Sequence, residues 1–549
     1  MKAKHFCLVL HSHIPYVLAH GSWPHGMDWL FEAAAESYLP LLQVFERLRD
    51  EGTPPRVNIS FTPVLVEQLR NPSFAAGFEE YLRMKIEICR RDRSYFEKTG
   101  TKPLLELTKH WEGWYIGLLE LFSEKYRQDI IGAFRRLQDD GQIEILTSAA
   151  THGYFPLLSE DDSLRWQVRQ GRYTYEKYFG RKPVGFWLPE CAYRPGYAWR
   201  SPLGGETKDR LGADEILGEE GLGCFFVDTH LLSGGEAKGV YLDRFPALKL
   251  LWEKFKKEYR PGQETAKTPY QPYLAYPSKV PFLARDEKSG TQVWSGKTGY
   301  PGDGWYLEFH KKHFPGGMRY WRITASDADL GDKQPYEPVK VRERLDENAG
   351  HFVASLGESL KDREEGVVVA LYDTELFGHW WFEGPEWLYL VLKKLRSAEV
   401  ESQTVTSCLG ALRPHTLISL PEGSWGKGGF HWIWLNDDTA WIWEKIYALE
   451  RESVRLKPHL RAADTRVLKQ FSREKFLLES SDWPFLISTW TARDYSENRA
   501  AGHFERARAL LDWIKRKEPL SPEQVKLLKI WEEEDQLFSE VVIPDGRIL

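Results

Sequence analysis

Two carboxylates follow short apolar runs of the kind that form buried strands. Glu190 ends the segment GFWLPE at residues 185–190, and Asp373 follows the apolar run at 367–372. A lone carboxylate is more often a surface or capping group. Two carboxyl groups about 5 Å apart, however, can cleave a glycosidic bond with retention, one attacking the anomeric carbon and the other protonating the leaving oxygen. The apolar and aromatic flanks of Glu190 and Asp373 favour such a pair.

A histidine pair follows the first apolar run of the chain. His11 and His13 are two residues apart, so on a strand both imidazoles point to one face. There they could bind sugar hydroxyls, make a structural contact or bind a metal ion, because neutral imidazole is a common metal ligand. A metal site would have to recruit His152 and Asp373 from distant segments. A metal-dependent hydrolase built on the histidine pair stays an alternative.

Composition favours a large enzyme. The chain has 549 residues, of which 42% are hydrophobic, enough for one large catalytic domain and one or two smaller ones. Its net charge is only -6, and its charges are scattered, which argues against a nucleic-acid partner. The 23 tryptophans are unusual, because aromatic faces can stack on sugar rings, although most tryptophans fill cores.

The ends of the chain and its cysteines indicate a cytoplasmic protein. The apolar run at residues 6–10 is too short for a signal-peptide core or a membrane span, so we interpret it as a first buried strand. The five cysteines form no CxxC pair and are odd in number, which suits reduced thiols rather than disulfides or a zinc site. We expect no association with a membrane.

Short apolar runs alternate with helical patterns in the first four hundred residues. The helical pattern at 39–48 is one example, and the runs predict strands at residues 6–10, 57–61, 143–147, 185–188, 224–227, 293–295 and 367–371. This alternation predicts parallel strands in an α/β barrel or a doubly wound sheet. A barrel carries its active site at the carboxyl ends of its strands, where the sequence places His11, His13, Glu190, Asp228 and Asp373.

Three segments depart from this alternation. Residues 91–141 are charged and helical, and predict an inserted subdomain that divides the catalytic barrel into 1–90 and 142–401. Residues 244–289 are polar and predict a long excursion from the barrel. Helical periodicity at 441–456 and 467–478, with a capping box at 521–524, predicts a C-terminal helical domain over 402–549.

Several motifs along nearly the whole chain resemble the signature regions of glycoside hydrolase family 57. They are HSHIPY at 11–16, GQIEILT at 141–147, WLPE at 187–190, YDTELFGHWW at 372–381 and SDWPF at 481–485. Within that family the sequence is most similar to the branching enzymes. This finer likeness rests on residues 23–24, 151–154, 227–228, 234–236, 299–302 and 420–426.

The resemblance implies a fold and a mechanism. The fold is a distorted (β/α)7 barrel, with a helical insertion after the second strand and a C-terminal helical domain that completes the active-site cleft. The mechanism is retaining and needs no metal or other cofactor, with Glu190 as nucleophile and Asp373 as acid/base. The residues that the resemblance assigns to substrate binding are His11, His13, Trp23, His152, Tyr241, Trp294, Trp380, Trp425, Trp434 and Asp482.

Tyr241 ends the loop at residues 231–241, which contains three glycines and resembles the mobile active-site loop of the branching enzymes. We expect this loop to keep water from the glycosyl-enzyme until an acceptor arrives. An exposed loop tyrosine without a role is the alternative.

These expectations combine into one function, a monomeric 1,4-α-glucan branching enzyme. It would cleave an α-1,4 bond and transfer the chain to a C6 hydroxyl, forming α-1,6 branches in a glycogen-like polymer. A 4-α-glucanotransferase or an α-amylase of the same family would use the same carboxylates, so the linkage of the product separates these candidates. A glycan-binding protein without catalysis is less favoured, because both carboxylates stand in their motifs.

Overall fold

The core of the protein is a curved sheet of parallel strands. A computed structural model describes residues 3–234, 245–543 and 546–549. Within these ranges, seven parallel strands run in the spatial order β7-β1-β2-β3-β4-β5-β6. They are β1 Lys4–Ser12, β2 Val57–Phe61, β3 Ile143–Ser148, β4 Phe186–Trp187, β5 Phe225–Val227, β6 Pro281–Ala284 and β7 Gly366–Asp373.

Backbone hydrogen bonds connect β7 with the segments that flank β6 and close the sheet on itself. The Asp286 N–H, just beyond β6, donates to the Val369 carbonyl oxygen of β7 at 2.8 Å. β4 and β5 are only two and three residues long, so the barrel wall is thin on their side. The prediction of a distorted seven-stranded (β/α) barrel is therefore confirmed.

Strand register sets the carboxyl ends of the barrel. His11 of β1 lies opposite Asp373 of β7 on one side and Ser60 of β2 on the other. Both β1 and β7 are buried along nearly all of their length, as expected for parallel strands covered on both faces. Polar side chains at the ends of these two strands therefore meet at one rim of the barrel.

One predicted strand is wrong, and one strand of the barrel was missed. Residues 293–295 fall at the end of the helix Glu287–Trp294, whose buried Val293 and Trp294 imitate an apolar strand. The sixth strand is Pro281–Ala284, inside the segment predicted as an excursion. That strand has four residues and begins with proline, so no alternating pattern reveals it. Part of residues 244–289 therefore belongs to the barrel wall.

The same segment contributes two further elements. The helix Pro246–Phe255 precedes the strand Tyr273–Ala275, which pairs antiparallel with β6. On its other side Tyr273–Ala275 pairs with Leu417–Ile418. These pairs extend the sheet beyond the barrel.

Helices fill the connection between β2 and β3. Two long helices, Pro72–Thr99 and Lys102–Glu120, pack as an antiparallel pair joined by Gly100, whose φ of 69° allows the tight reversal. Shorter helices, Pro63–Arg70 and Ile130–Asp139, flank the pair. The helical character predicted for residues 91–141 is confirmed, whereas the division of the chain into domains stays a prediction.

The remaining helices surround the barrel or build the C-terminal part. Around the barrel lie Met27–Ala33, Leu39–Asp50, Asp161–Phe179, Ala213–Glu219, Thr229–Ser233, Pro338–Ser359, Gly384–Leu395 and Val405–Leu412. The C-terminal part contains Ala440–Arg455, Lys457–Ala462, Thr465–Leu478, Asp482–Thr489, Arg493–Arg516 and Pro522–Glu534. The last helix begins with the predicted capping box at Ser521 and Gln524. In the described parts of the chain, every helix is too short or too polar to cross a bilayer.

Candidate active site

Histidines from β1 and from the loop after β3 form the floor of the cleft. The Nε2 atoms of His11 and His152 lie 3.0 Å apart, and the His11 ring stacks on Trp187 at 4.5 Å between centroids. Burial, and then the nearby His13, hold the pKa of His11 and of His152 well below the ordinary value. Both imidazoles are therefore neutral near pH 7, and each can donate one hydrogen bond and accept another.

His13, which directly follows β1, contacts the C-terminal part of the chain. His13 Nε2 lies 2.8 Å from Asp482 Oδ2, and its Nδ1 lies 3.0 Å from the Thr62 hydroxyl. The Ser480 hydroxyl also donates to Asp482 Oδ2, at 2.5 Å. Asp482 is the first residue of the helix Asp482–Thr489, where the helix dipole favours a negative charge. The two imidazoles of His11 and His13 stack at 6.2 Å, which confirms that they share one face.

Glu190 follows β4 in an unusual backbone conformation. Its φ of 60° and ψ of 24° lie in the left-handed region, which is uncommon for residues other than glycine. Backbone hydrogen bonds to a later loop hold this segment. Tyr193 N donates to Gly423 O at 2.8 Å, Gly423 N to Tyr193 O at 3.0 Å, and Trp425 N to Glu190 O at 3.2 Å. The loop therefore fixes where the Glu190 carboxylate points.

Two donors face the carboxylate of Glu190. The indole N–H of Trp425 donates to Oε2 at 2.8 Å, and the Ser481 hydroxyl lies 3.4 Å from Oε1. Burial raises the pKa of Glu190 to about 8, with the charges of Asp373 and Asp482 adding to the rise and the two donors opposing it. The donors therefore stabilise the ionised carboxylate that a nucleophile requires.

Asp373 is the last residue of β7 and is half-buried. Its charge raises the pKa of Glu190 and that of Glu375, so the three carboxyl groups interact within one cleft. The structure thus brings the two predicted catalytic carboxylates together, while their separate roles stay predictions.

Sequence analysis missed a third carboxylate and two hydroxyl groups. Glu375 is buried, and its Oε1 accepts from the Tyr38 hydroxyl at 2.5 Å and from the His13 N–H at 3.2 Å. Burial, together with the charge of Asp373, raises the pKa of Glu375 to about 8. Glu375 lies two residues after Asp373 in the same motif, a signal that could have identified it. Ser481 likewise begins the SDWPF motif, whereas Tyr38 carries no comparable local signal.

Three of the predicted glucan-binding tryptophans form a continuous wall. The Trp425 ring meets Trp187 edge-on at 5.4 Å and Trp294 at 6.4 Å, and Trp294 lies 6.1 Å from Trp380. Because the indole N–H of Trp425 reaches Glu190, this wall begins at the predicted nucleophile.

The other predicted aromatic residues differ in their surroundings. Trp23 is 80% exposed on its loop. Trp434 is fully buried and stacks on Tyr154 at 4.3 Å, so its ring offers no open face in this conformation. Tyr241 lies outside the described residues, and its role rests on the sequence alone.

Asp228, at the end of β5, pairs with an arginine that lies against the tryptophan wall. Burial would raise its pKa, but its ion pair with Arg285 and its 2.9 Å contact with His230 Nδ1 outweigh burial and hold the pKa low. The Arg285 guanidinium in turn lies 5.7 Å from the centroid of the Trp425 ring. This strand-end carboxylate therefore acts as part of a structural ion pair.

Among the residues that the structure describes, two groups of side chains have the composition of a metal site. The ligand atoms of His13, His152 and Asp482 lie within 4.8 Å of one another, although a metal ion would displace the hydrogen bonds that His13 and His152 make. This set shares His13 and His152 with the metal alternative, but it lacks His11 and has Asp482 in place of Asp373. The second group, Glu474, His503 and Asp535, is buried.

Arginine side chains disfavour a cation at that second group. Arg506 contacts Asp535 at 2.6 Å, and Arg499 lies 3.1 Å from His503 Nε2. Two guanidinium groups repel a metal ion, so we interpret the second group as a structural network.

Comparisons with known proteins support the resemblance to glycoside hydrolase family 57 that the motifs indicate. A family model described as glycosyl hydrolase family 57 matches residues 7–421. A second model, described as 1,4-alpha-glucan branching enzyme, C-terminal, matches residues 444–544. The chain is 43% identical over 548 residues to the 1,4-alpha-glucan branching enzyme of Thermococcus kodakarensis, covering 97% of this chain and 77% of that protein.

Solved structures are similar over almost the full chain. A crystal structure of the Thermococcus enzyme superposes with a TM-score of 0.87 at 40% identity, covering 100% of this chain and 97% of that one. The branching enzyme of Pyrococcus horikoshii gives 0.86 at 40% identity, with 98% and 95% covered. The α-amylase AmyC of Thermotoga maritima gives 0.78 at 28% identity, with 98% and 97% covered. Barrel, paired carboxylates and matched family model agree, and the chain belongs to glycosyl hydrolase family 57.

Proposed function

We propose that this protein is a 1,4-α-glucan branching enzyme. The observation that carries the proposal is the pair Glu190 and Asp373, which stand at the ends of two barrel strands beside a wall of tryptophans. Relatives named as branching enzymes, and the branching-enzyme model matched at residues 444–544, support transfer rather than hydrolysis. The substrate is an α-glucan.

In the first half-reaction the two carboxyl groups act in opposite protonation states. The Glu190 carboxylate attacks the anomeric carbon, and Asp373 gives its proton to the leaving O4 of the glucan. Burial, and then the charges of Asp373 and Asp482, favour a proton on Glu190 near neutral pH, whereas catalysis requires Glu190 ionised and the proton on Asp373. The hydrogen bond from Trp425 favours this distribution, because it stabilises the anion on Glu190.

The second half-reaction reverses the proton transfer. The Asp373 carboxylate removes the proton from a C6 hydroxyl of an acceptor chain, and the freed oxygen attacks the anomeric carbon and releases Glu190. Two inversions at that carbon retain its configuration. The product carries an α-1,6 branch, and no cofactor takes part, because the glycosyl ester conserves the energy of the broken bond.

Three histidines, His11, His13 and His152, lie in one stack beside the reacting carbon. Their ring nitrogens already form hydrogen bonds within the protein, so sugar hydroxyl groups bind here by replacing some of these bonds. Asp482 orients His13 from behind, since its carboxylate lies 2.8 Å from Nε2. A ring oriented in this way loses little freedom when the substrate binds.

The second candidate function is that of an α-amylase or 4-α-glucanotransferase. The similarity to the Thermotoga α-amylase over 98% of this chain favours it as the alternative. Its chemistry differs only in the acceptor, which is water or an O4 hydroxyl instead of a C6 hydroxyl.

Incubation of the purified protein with amylose tests the proposal. We expect α-1,6 anomeric signals in the proton NMR spectrum of the product, and new short chains after treatment with a debranching enzyme. Glu190→Gln is the matched control and gives neither signal, because its amide cannot form the glycosyl ester. New reducing ends without α-1,6 signals would assign the protein to the amylases, and α-1,4 products of altered length would assign it to the glucanotransferases.

A further inference from the structure

Most tryptophan side chains of this protein are buried or half-buried. All 23 tryptophans lie in the described parts of the chain, and only Trp23 and Trp490 are exposed. Trp23 belongs to the site predicted from the sequence. Trp490 is 60% exposed and has no part in the chemistry derived above.

Trp490 is connected to the active site by one short helix. The helix Asp482–Thr489 begins at the aspartate that contacts His13, and Trp490 caps its other end. Eight residues at 1.5 Å per residue place Trp490 about 12 Å along the helix axis from Asp482. A substrate longer than a few sugar units can therefore reach from the reacting carbon to this ring.

The side of the helix that is not buried is a single stripe. Asp482, Phe485 and Leu486 are half-buried, Trp490 is exposed, and the residues between them are buried. Spacings of three to four residues place these four side chains on one face, leading from the cleft to the surface. Beyond Asp482 the stripe is apolar and uncharged, which suits a neutral polymer better than an anionic partner.

The ring stands on a rigid support. The Trp490 backbone is left-handed, with φ 58° and ψ 19°, and its N–H donates to Ile487 O at 3.1 Å. The Ser488 hydroxyl in the preceding turn donates to Ile433 O at 2.6 Å and accepts from Asn436 at 2.8 Å. The helix Arg493–Arg516 begins three residues later, where Arg493 pairs with Asp438. These internal hydrogen bonds fix the end of the helix, and a solvent-facing aromatic ring on a fixed support can stack on a sugar ring.

We propose that Trp490 is a distal binding platform for the part of an α-glucan chain that extends out of the cleft along the helix Asp482–Thr489. This proposal rests on the proposed function for its polymer, but not on which linkage the enzyme forms. It makes Trp490 a determinant of chain-length preference, since only long chains span both the cleft and the platform.

Binding measured without turnover tests the platform. In a Glu190→Gln background, which leaves the polymer intact, the dissociation constant for amylopectin is measured by affinity electrophoresis and that for maltotriose by calorimetry. We expect Trp490→Ala to weaken amylopectin binding about three- to tenfold, as for one lost aromatic contact. Maltotriose is too short to reach the platform, and its binding changes less than twofold. Trp490→Asn gives the same loss, since asparagine tolerates the left-handed backbone.

Phe314→Ala is the matched control, because Phe314 is 88% exposed on a different loop. It keeps the parental affinity for amylopectin, whereas Trp490→Phe keeps part of it. Unchanged amylopectin binding in both Trp490→Ala and Trp490→Asn would overturn the proposal. A change of oligomeric state in those variants, measured by light scattering, would instead assign the ring to contact with a second copy of the chain. If the binding results are as expected but the protein forms no α-1,6 branches from amylose, the proposed function is refuted and the platform is not.

Discussion

Replacing Trp425 by Phe removes the indole N–H that donates to Glu190 Oε2 at 2.8 Å, while an aromatic ring stays in the wall. A hydrogen bond to a charged group contributes about 1.5 kcal/mol or more. At 1.36 kcal/mol per unit, its loss raises the pKa of Glu190 by about one unit. The wild-type value is about 8, so the ionised fraction at pH 7 falls about tenfold in Trp425→Phe.

A glycosyl fluoride donor isolates this effect, because fluoride leaves without a proton from Asp373. The rate of glycosyl-enzyme formation is measured from pH 5 to pH 10. The protonated carboxyl is not nucleophilic, so the rate rises as the pH passes the pKa of Glu190. We expect this rise to shift upward by about one unit in Trp425→Phe, and the two rates to converge at high pH.

Trp294→Phe is the control, since it changes the neighbouring ring and leaves the bond between Trp425 and Glu190 in place. It alters substrate affinity at every pH without moving the profile. If Trp425→Phe lowers the rate equally at all pH values, Trp425 acts by packing and the electrostatic argument is refuted.

Three further predictions concern the same cleft. Asp373→Asn lowers turnover of amylose about a thousandfold, because an amide cannot protonate the leaving oxygen, yet a glycosyl fluoride still gives a covalent adduct detectable by mass spectrometry; absence of the adduct would contradict the assigned role. Glu190→Gln stabilises the fold by about 1–3 kcal/mol at pH 8. The pKa of Glu190 is raised in the folded state from 4.5 to about 8, so its stabilising contribution is present below pH 4.5 and lost as the pH rises. Denaturant titrations at pH 4 and pH 8 check this, and a gain that does not vary with pH would count against it. Treatment with a chelator leaves activity unchanged, whereas inactivation reversed by zinc would assign a metal to His13, His152 and Asp482.

The two carboxylates proposed for catalysis were identifiable in the sequence because their signals are local. Glu190 and Asp373 each directly follow an apolar run, and parallel strands bring such ends to one rim. Partners that reach the same rim from far along the chain carry no such signal. Ser481 meets Glu190 across 291 residues, and Tyr38 meets Glu375 across 337.

Burial of individual aromatic residues was not predictable for a related reason. Trp425 and Trp434 lie in one glycine-rich segment, yet only Trp425 reaches Glu190, whereas Trp434 is covered by packing on Tyr154. The strand Pro281–Ala284 was missed because it begins with proline inside a polar segment, and its pairing with β5 identifies it only in three dimensions. Contacts with distant parts of the chain decide both whether a tryptophan is buried and whether a short apolar run forms a strand.

The dependence of the cleft on Ser481 and Asp482 has a consequence during protein synthesis. A ribosome completes β1 through β7 before it reaches residue 481, so the newborn chain can carry Glu190 and Asp373 while His13 still lacks its aspartate. The hydrogen bonds that Ser481 and Asp482 make with His13, His152 and Glu190 form only when the late helices dock. An unfinished or truncated chain therefore holds both carboxylates but lacks part of the hydrogen-bond network that orients the cleft.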